Sequence, residues 1–93
     1  MAAIPFVDQE TEFRDWRRNN PSGYILNTTR RGSANYLKLH AATCWTISGE
    51  PRQGKYWTKD YSKVCAPDRQ EIDKWVDQQF GTVPRPCPFC LEH

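Results

Sequence analysis

Hydrophobic residues recur at helical spacing near the start of the chain. Phe13 and Trp16 lie three residues apart and can therefore share one buried helix face. Asp8 is a suitable N-cap, acidic residues follow it in the first turns, and a pair of arginines closes the segment, as the helix dipole favours. Because Pro21 cannot continue a helix, the pattern predicts an N-terminal helix over residues 8–19.

The next segments alternate between apolar and polar positions, which is typical of strands. Residues 24–27 are mostly apolar, and Leu37 and Leu39 share one face of a second strand over residues 36–40. The polar stretch 28–35 between them contains two adjacent arginines and a glycine. These segments predict a β-hairpin with an arginine-bearing tip.

The second half of the chain contains a third strand and a stronger helical pattern. Residues 56–66 are rich in aromatic and β-branched side chains, which predicts a third strand that starts at Tyr56 and ends near Val64 and Cys65. A helix over residues 68–80 follows, with Pro67 before it and Gly81 just past its end. Its hydrophobic face comprises Ile72, Trp75, Val76 and Phe80.

Proline and glycine mark the remaining stretches as irregular. Residues 48–55 predict a flexible connection, and residues 82–90, which contain three prolines, predict a stiff loop. The whole pattern predicts an α+β fold with an N-terminal helix, a short antiparallel sheet of about three strands, and a C-terminal helix followed by a cysteine knuckle.

The size of the chain favours one small domain that needs extra stabilisation. Of its 93 residues, 38% are hydrophobic and 26% are charged, a composition too polar for a membrane span and too apolar for disorder. A domain of this size often recruits a disulfide or a metal. We expect one domain over residues 1–90. The final Leu-Glu-His, residues 91–93, reads like the remnant of a polyhistidine expression tag.

Two cysteines near the C-terminus have the spacing of a zinc knuckle. Cys87 and Cys90 form a C-x-x-C pair, which can hold one tetrahedral zinc ion. Redox enzymes use the same spacing, but their pair opens a helix, and no helix is predicted after this one. The N-terminus lacks a secretory signal, so we expect a cytoplasmic protein whose thiols stay reduced, which favours a metal over disulfides.

His40 and Cys44 supply the two further ligands that zinc needs. They form an H-x-x-x-C pair directly after a predicted strand, and with Cys87 and Cys90 they make a Cys₃His site. Cys65 is then left over as a buried thiol. Two alternatives remain open: a Cys₄ site in which Cys65 replaces His40, and a pair of disulfides.

The order of these motifs resembles the Ada-type metal-binding domain of methylated-DNA repair proteins. The resemblance covers roughly residues 37–90: H-x-x-x-C after a strand, then a helix ending in Phe-Gly, then Arg-Pro-Cys-x-x-Cys at residues 85–90. In that family four such ligands bind zinc. The resemblance therefore implies Zn²⁺ as cofactor, bound by His40, Cys44, Cys87 and Cys90.

One departure from the family pattern changes the expected chemistry. In the Ada family the first cysteine of the leading pair accepts a methyl group from DNA, and His40 stands at that position here. Because neutral imidazole is a far poorer nucleophile than a zinc thiolate, we do not expect the repair activity. Four protein ligands leave no open position for water, so the zinc is expected to be structural.

The distribution of charge suggests an anionic partner. Residues 14–63 carry ten basic side chains against three acidic ones, a net charge of +7, whereas residues 1–13 and 64–90 are net negative. Interspersed aromatic residues could stack on unpaired bases. The residues expected to contact nucleic acid are Arg17, Arg18, Arg30, Arg31, Tyr36, Lys38, Lys55, Trp57 and Lys59.

No sequence motif indicates an enzyme. The chain lacks a phosphate-binding P-loop, a nucleophile elbow and a metalloprotease H-E-x-x-H pair. We therefore expect a zinc module that recognises DNA as an accessory domain of a longer DNA-processing or defence protein, with no membrane contact. The alternative is a structural or protein-interaction zinc domain in which the same charges form only a solvated surface.

Overall fold

Two helices pack on opposite faces of a five-stranded sheet in the computed structural model, which describes residues 3–47, 56–59 and 61–91. The elements in chain order are β1 (Ile4–Phe6), α1 (Glu10–Asn19), β2 (Tyr24–Thr29), β3 (Leu37–Ala41), β4 (Tyr61–Ala66), α2 (Arg69–Phe80) and β5 (Arg85–Pro86). The strand order is β1-β4-β2-β3-β5. All neighbouring strands are antiparallel except β3 and β5, which are parallel.

Alternation along the central strands gives the sheet two apolar faces. Leu26 on β2 pairs with Leu39 on β3 and with Val64 on β4, and these side chains pack with Ile72 of α2. The preceding residue, Ile25, points to the opposite face, because successive strand side chains alternate. There it packs with Phe13 of α1. The Phe13 face also carries His40, which pairs with Ile25 across the sheet.

The α+β class agrees with the sequence pattern, but the sheet is larger and mixed. The predicted sheet of about three antiparallel strands corresponds to β2, β3 and β4, but it is too small because β1 and β5, of three and two residues, were not predicted. Each contains a proline and lies at an edge of the sheet, where a strand needs fewer backbone donors. Residues 82–90, predicted as a loop, therefore include the strand β5.

The boundaries of the other elements shift by a few residues. The N-cap of α1 is Gln9 and not Asp8, whose φ is 52° and whose carboxylate pairs with Arg30. The third predicted strand begins at Tyr61 and not at residue 56. Gly81 ends α2 in the left-handed conformation, as expected for a glycine C-cap. The predicted connection 48–55 lies outside the described residues.

Candidate metal centre

The parallel pairing of β3 and β5 brings the two predicted halves of the metal site together. Leu39 pairs with Pro86, and the next backbone N–H, that of Cys87, donates a 2.8 Å hydrogen bond to the carbonyl oxygen of Leu39. His40 is the next residue of β3, and Cys44 follows in the turn after the strand. The ligand atoms of His40, Cys44, Cys87 and Cys90 all lie within 4.8 Å of one another.

The spacing of the donors fits a tetrahedral zinc ion. The sulfur atoms of Cys44 and Cys87 are 3.8 Å apart. Two thiolates bound to one zinc at about 2.3 Å, at the tetrahedral angle, would lie about 3.8 Å apart. A tetrahedral set of one imidazole and three thiolates suits zinc among the common metals. The cluster is thus consistent with a zinc-binding domain.

Backbone and hydroxyl groups orient the ligands. The backbone N–H of Ala41 donates to the sulfur of Cys90 at 3.3 Å. The hydroxyl oxygen of Thr46 lies 3.0 Å from the sulfur of Cys44 and 3.4 Å from Nδ1 of His40. Such outer contacts are characteristic of metal sites, since they fix ligand rotamers and stabilise thiolate charge.

Burial keeps the histidine neutral and therefore able to bind a cation. It lowers the pKa of His40 to about 4, with smaller contributions from the charges of Lys38 and Lys63. Burial opposes ionisation of Cys87, but hydrogen bonds from the backbone N–H groups of Phe89 and Cys90, and from the thiols of Cys90 and Cys44, together outweigh it and hold the pKa of the Cys87 thiol below its usual value. Cys87 therefore ionises more readily than an ordinary cysteine thiol.

The pKa of Cys90 moves in the opposite direction. Burial raises it to about 12, and the neighbouring sulfur atoms of Cys44 and Cys87 add to the increase. Several thiolates this close together repel one another unless a cation lies between them. Full deprotonation of the cluster therefore requires a bound metal ion.

Cys65 lies apart from this cluster. It lies near the end of β4, pairs with Ile25 of β2 and is fully buried, which raises the pKa of its thiol. Among the described residues, the one group of metal-ligating side chains contains His40 and not Cys65. All four cysteines carry free thiols, so the structure contains no disulfide.

Three of the residues predicted to contact nucleic acid line one groove beside the metal centre. Tyr36, Lys38 and Trp57 border a depression of about 180 Å³, together with the ligands His40 and Cys87. The groove lies on the sheet face that carries α1. Of the predicted set, this is the group that the structure brings next to the metal ligands.

The two predicted arginines near the C-terminal end of α1 have partners within the molecule. Arg17 donates to the carbonyl oxygen of Ile47 at 2.6 Å, and its guanidinium lies 5.9 Å from the Trp57 ring. Arg18 pairs with Asp15. These two arginines line a separate depression of about 590 Å³, on the surface of α1. Contacts within the molecule therefore already engage both guanidinium groups, which leaves less of their charge for an external ligand.

The remaining basic residues are dispersed. Arg30 forms a two-fold ion pair with Asp8 and also donates to the carbonyl oxygen of Lys59 at 2.9 Å. The ammonium group of Lys59 lies 5.7 Å from the Tyr56 ring. Arg31 is exposed in the turn after β2. Lys55 lies outside the described residues.

Several residues that shape the groove were not predicted from the sequence. Lys63 is buried, and its ammonium group donates to the amide oxygen of Asn27 at 2.7 Å and to the carbonyl oxygen of Trp57 at 2.8 Å. Phe89 lies between the two cysteines of the knuckle and also lines the groove. The alternation of side chains along β4 could have indicated that Lys63 is buried, because Lys63 and Cys65 lie on the same face of that strand.

No family model, curated protein or solved structure matches the chain. The structure contains the His/Cys₃ cluster that the resemblance to Ada-type domains implied. No family match supports the Ada-type family specifically. In the part of the chain that the structure describes, no helix is both long and apolar enough to cross a membrane.

Proposed function

We propose that this chain is a structural zinc module that binds DNA, and that it acts as a binding domain and not as an enzyme. The zinc part of the proposal depends on one observation, the convergence of four ligand atoms within 4.8 Å. These donors would fill every corner of a zinc tetrahedron. No position would remain for a reactive water, which argues against a hydrolytic role.

Zinc in this position would stabilise the domain across long loops. The ligands come in two pairs, His40 with Cys44 and Cys87 with Cys90. The metal would link Cys44 to Cys87, which are 43 residues apart in sequence. The metal would therefore hold the short edge strand β5 against β3. Such coupling makes the free energy of metal binding part of the free energy of folding.

The resemblance to Ada-type domains favours DNA over other anionic partners. His40 replaces the methyl-accepting cysteine of that family, so the proposed activity is recognition of DNA without methyl transfer. Reduced thiols in the cytoplasm would suit this role, as would attachment to a longer DNA-processing or defence protein.

The groove beside the zinc ligands supports DNA binding chemically. Its lining combines the aromatic rings of Tyr36 and Trp57 with the ammonium group of Lys38. Aromatic stacking on bases and ionic contact with phosphates are the two interactions that bind single-stranded nucleic acid with little dependence on sequence. The basic middle of the chain, including exposed Arg31, would add long-range attraction.

A protein partner is the second candidate, because Trp45 and Phe89 form an exposed aromatic pair. Their side chains are 55% and 59% exposed, and their ring centroids are 5.2 Å apart. Exposed aromatic patches also occur at protein interfaces. A DNA-binding measurement separates the two candidates.

Fluorescence anisotropy with labelled oligonucleotides tests the proposed function. The zinc-loaded chain is titrated into single-stranded and double-stranded DNA at about 50 and about 200 mM salt. We expect binding that weakens steeply as the salt concentration rises, since phosphate contacts release counterions. Absence of binding to both forms of DNA at the lower salt concentration would contradict the DNA proposal and leave the protein-interaction candidate.

A further inference from the structure

Two exposed aromatic pairs flank the groove beside the metal centre. Tyr36 pairs with Tyr61 at a centroid distance of 5.4 Å, and Phe89 pairs with Trp45 at 5.2 Å. One member of each pair, Tyr36 or Phe89, lines the groove. All four rings are among the exposed large hydrophobic side chains of the molecule. Exposed aromatic surface gathered around one depression is characteristic of a binding site.

A hydrogen-bonded chain fixes one wall of the groove. The amide nitrogen of Asn27 donates to the hydroxyl oxygen of Tyr36 at 3.3 Å, and the amide oxygen of Asn27 accepts from Lys63 at 2.7 Å. Lys63 also donates to the carbonyl oxygen of Trp57. The buried ammonium group of Lys63 is therefore linked to Tyr36 through Asn27, and directly to the backbone of Trp57. Both aromatic residues are thus held in place before a ligand binds.

Glu10 holds Trp57 from the side of α1. One carboxylate oxygen of Glu10 accepts hydrogen bonds from the backbone N–H groups of Trp57 and Thr58, at 2.7 and 3.0 Å. The other oxygen pairs with Arg14 at 2.8 Å. Trp57 is thus attached both to α1 and, through Lys63, to β4.

The charge at the groove favours an anionic ligand. Lys38 lines the groove and has no ion-pair partner within the described residues, whereas Arg18 and Arg30 each pair with a carboxylate. A zinc ion bound by three thiolates would leave one negative charge nearby. The ammonium group of Lys38 offsets this charge within the groove, and the buried ammonium group of Lys63 adds a second positive charge behind its wall.

The groove fits a small ligand group. At about 180 Å³ it is smaller than the roughly 300–1,000 Å³ of a drug-sized pocket. Aromatic walls suit a flat ring, and the ammonium group of Lys38 suits a phosphate attached to it. Such a ring cannot enter while it is stacked in a duplex, so the strand must present it unpaired.

We infer that this groove holds one unpaired base of a DNA single strand between Tyr36 and Phe89, with an adjacent phosphate beside Lys38. The inference rests on the DNA-binding function proposed above and assigns that function to one site. Single strands are therefore expected to bind more tightly than duplexes of the same sequence.

A matched pair of double variants tests this assignment. Tyr36→Leu with Lys38→Gln removes one aromatic ring and one positive charge from the groove. Tyr24→Leu with Lys74→Gln removes the same kinds of group on the α2 side of the sheet, from two residues that neither line the groove nor belong to the predicted nucleic-acid set. The probe is a labelled ten-nucleotide single strand of thymidines. Circular dichroism and zinc content establish that each variant is folded.

The two variants should differ clearly in affinity. We expect the groove variant to bind at least about 5-fold more weakly, since one base stack is lost, and the control variant to change by less than about 2-fold. Ultraviolet cross-linking of the wild type to the same strand should attach it to Tyr36, Trp57 or Phe89. This readout would not follow from a merely structural role.

Two other outcomes are distinguishable. If the wild type binds neither single-stranded nor double-stranded DNA, the proposed function fails and this assignment fails with it. If the wild type binds but the two double variants weaken equally, or cross-links form only elsewhere, DNA binding stands and the groove assignment is overturned.

Discussion

The sulfur atoms of Cys44 and Cys87 lie 3.8 Å apart, although 43 residues separate them in the chain. The backbone contact between Cys87 and Leu39 explains this proximity, because it attaches the short strand β5 to the strand that ends beside Cys44. A two-residue strand stabilises such an attachment only weakly by itself. The metal is therefore expected to be a principal stabiliser of this edge of the sheet.

Loss of a zinc ligand should unfold or severely weaken the domain, whereas loss of Cys65 should not release the metal. Metal binding contributes about 10–16 kcal/mol in small zinc-dependent domains, which is comparable to or larger than the total stability of a typical domain. We expect His40→Ala to lose zinc and to unfold at a much lower urea concentration. Cys65→Ala should retain zinc and lose only about 1–2 kcal/mol through its small cavity.

His40→Cys provides the conservative control for this experiment. It restores four donors, so it should bind zinc and recover most of the stability that His40→Ala loses. Zinc release by Cys65→Ala together with zinc retention by His40→Ala would mean that the ligand set is wrong. Urea unfolding followed by circular dichroism, with and without a chelator, measures all three variants.

The two halves of the metal site could be predicted from sequence because each is local. His40 and Cys44 span one turn, and Cys87 and Cys90 span another, so the spacing within each pair indicates that both of its side chains can reach one ion. The strand that joins the halves could not be predicted, since Arg85 and Pro86 gain their regular structure from pairing with a distant strand. Local periodicity contains no such information.

The charged surface was the least predictable part of the molecule. Arg30 was expected to face nucleic acid, but its partner Asp8 lies 22 residues earlier in the chain. Similarly, the contact of Lys63 with Asn27 spans 36 residues across two strands. Counting charges along a sequence does not reveal which of them the fold pairs, so a basic segment can contain few available cations.

Acid should weaken the attachment of Trp57 to α1 through protonation of Glu10. Burial opposes ionisation of Glu10, but hydrogen bonds from Arg14, Thr58 and Trp57 outweigh it and lower the pKa of this carboxyl below the ordinary 4.5. A lowered carboxyl pKa stabilises the fold above the unfolded-state value and loses that stabilisation as the pH falls through the folded-state value.

The variant Glu10→Gln isolates this effect. At pH 7 it should be less stable than wild type by about 1–3 kcal/mol, the usual contribution of hydrogen bonds to a charged group. The difference should shrink as the pH falls below 4.5. Urea midpoints of the two proteins at several pH values measure it, and loss of metal in acid affects both alike. A difference independent of pH would exclude the proposed role of the carboxylate charge.

Gly23 should be intolerant of a side chain because α1 lies directly over it. A Cβ atom at this position would lie 2.7 Å from the Trp16 ring and 3.0 Å from the carbonyl oxygen of Ala66. We expect Gly23→Ala to destabilise the domain by about 1–3 kcal/mol, the usual cost of overpacking. Ser22 is the exposed neighbour, and Ser22→Ala should change stability by less than about 0.5 kcal/mol. Thermal unfolding of both variants and the wild type measures the difference. Equal stability of the two variants would contradict the packing described here.

The central claim is that His40, Cys44, Cys87 and Cys90 form one structural zinc site, and zinc content tests it most directly. The chain is purified under reducing conditions, dialysed against metal-free buffer and measured by elemental analysis beside Cys87→Ser and Cys65→Ala. We predict one zinc ion per chain for the wild type and for Cys65→Ala, and much less than one for Cys87→Ser. A wild type without bound zinc, or a Cys87→Ser variant that retains a full equivalent, would contradict the account.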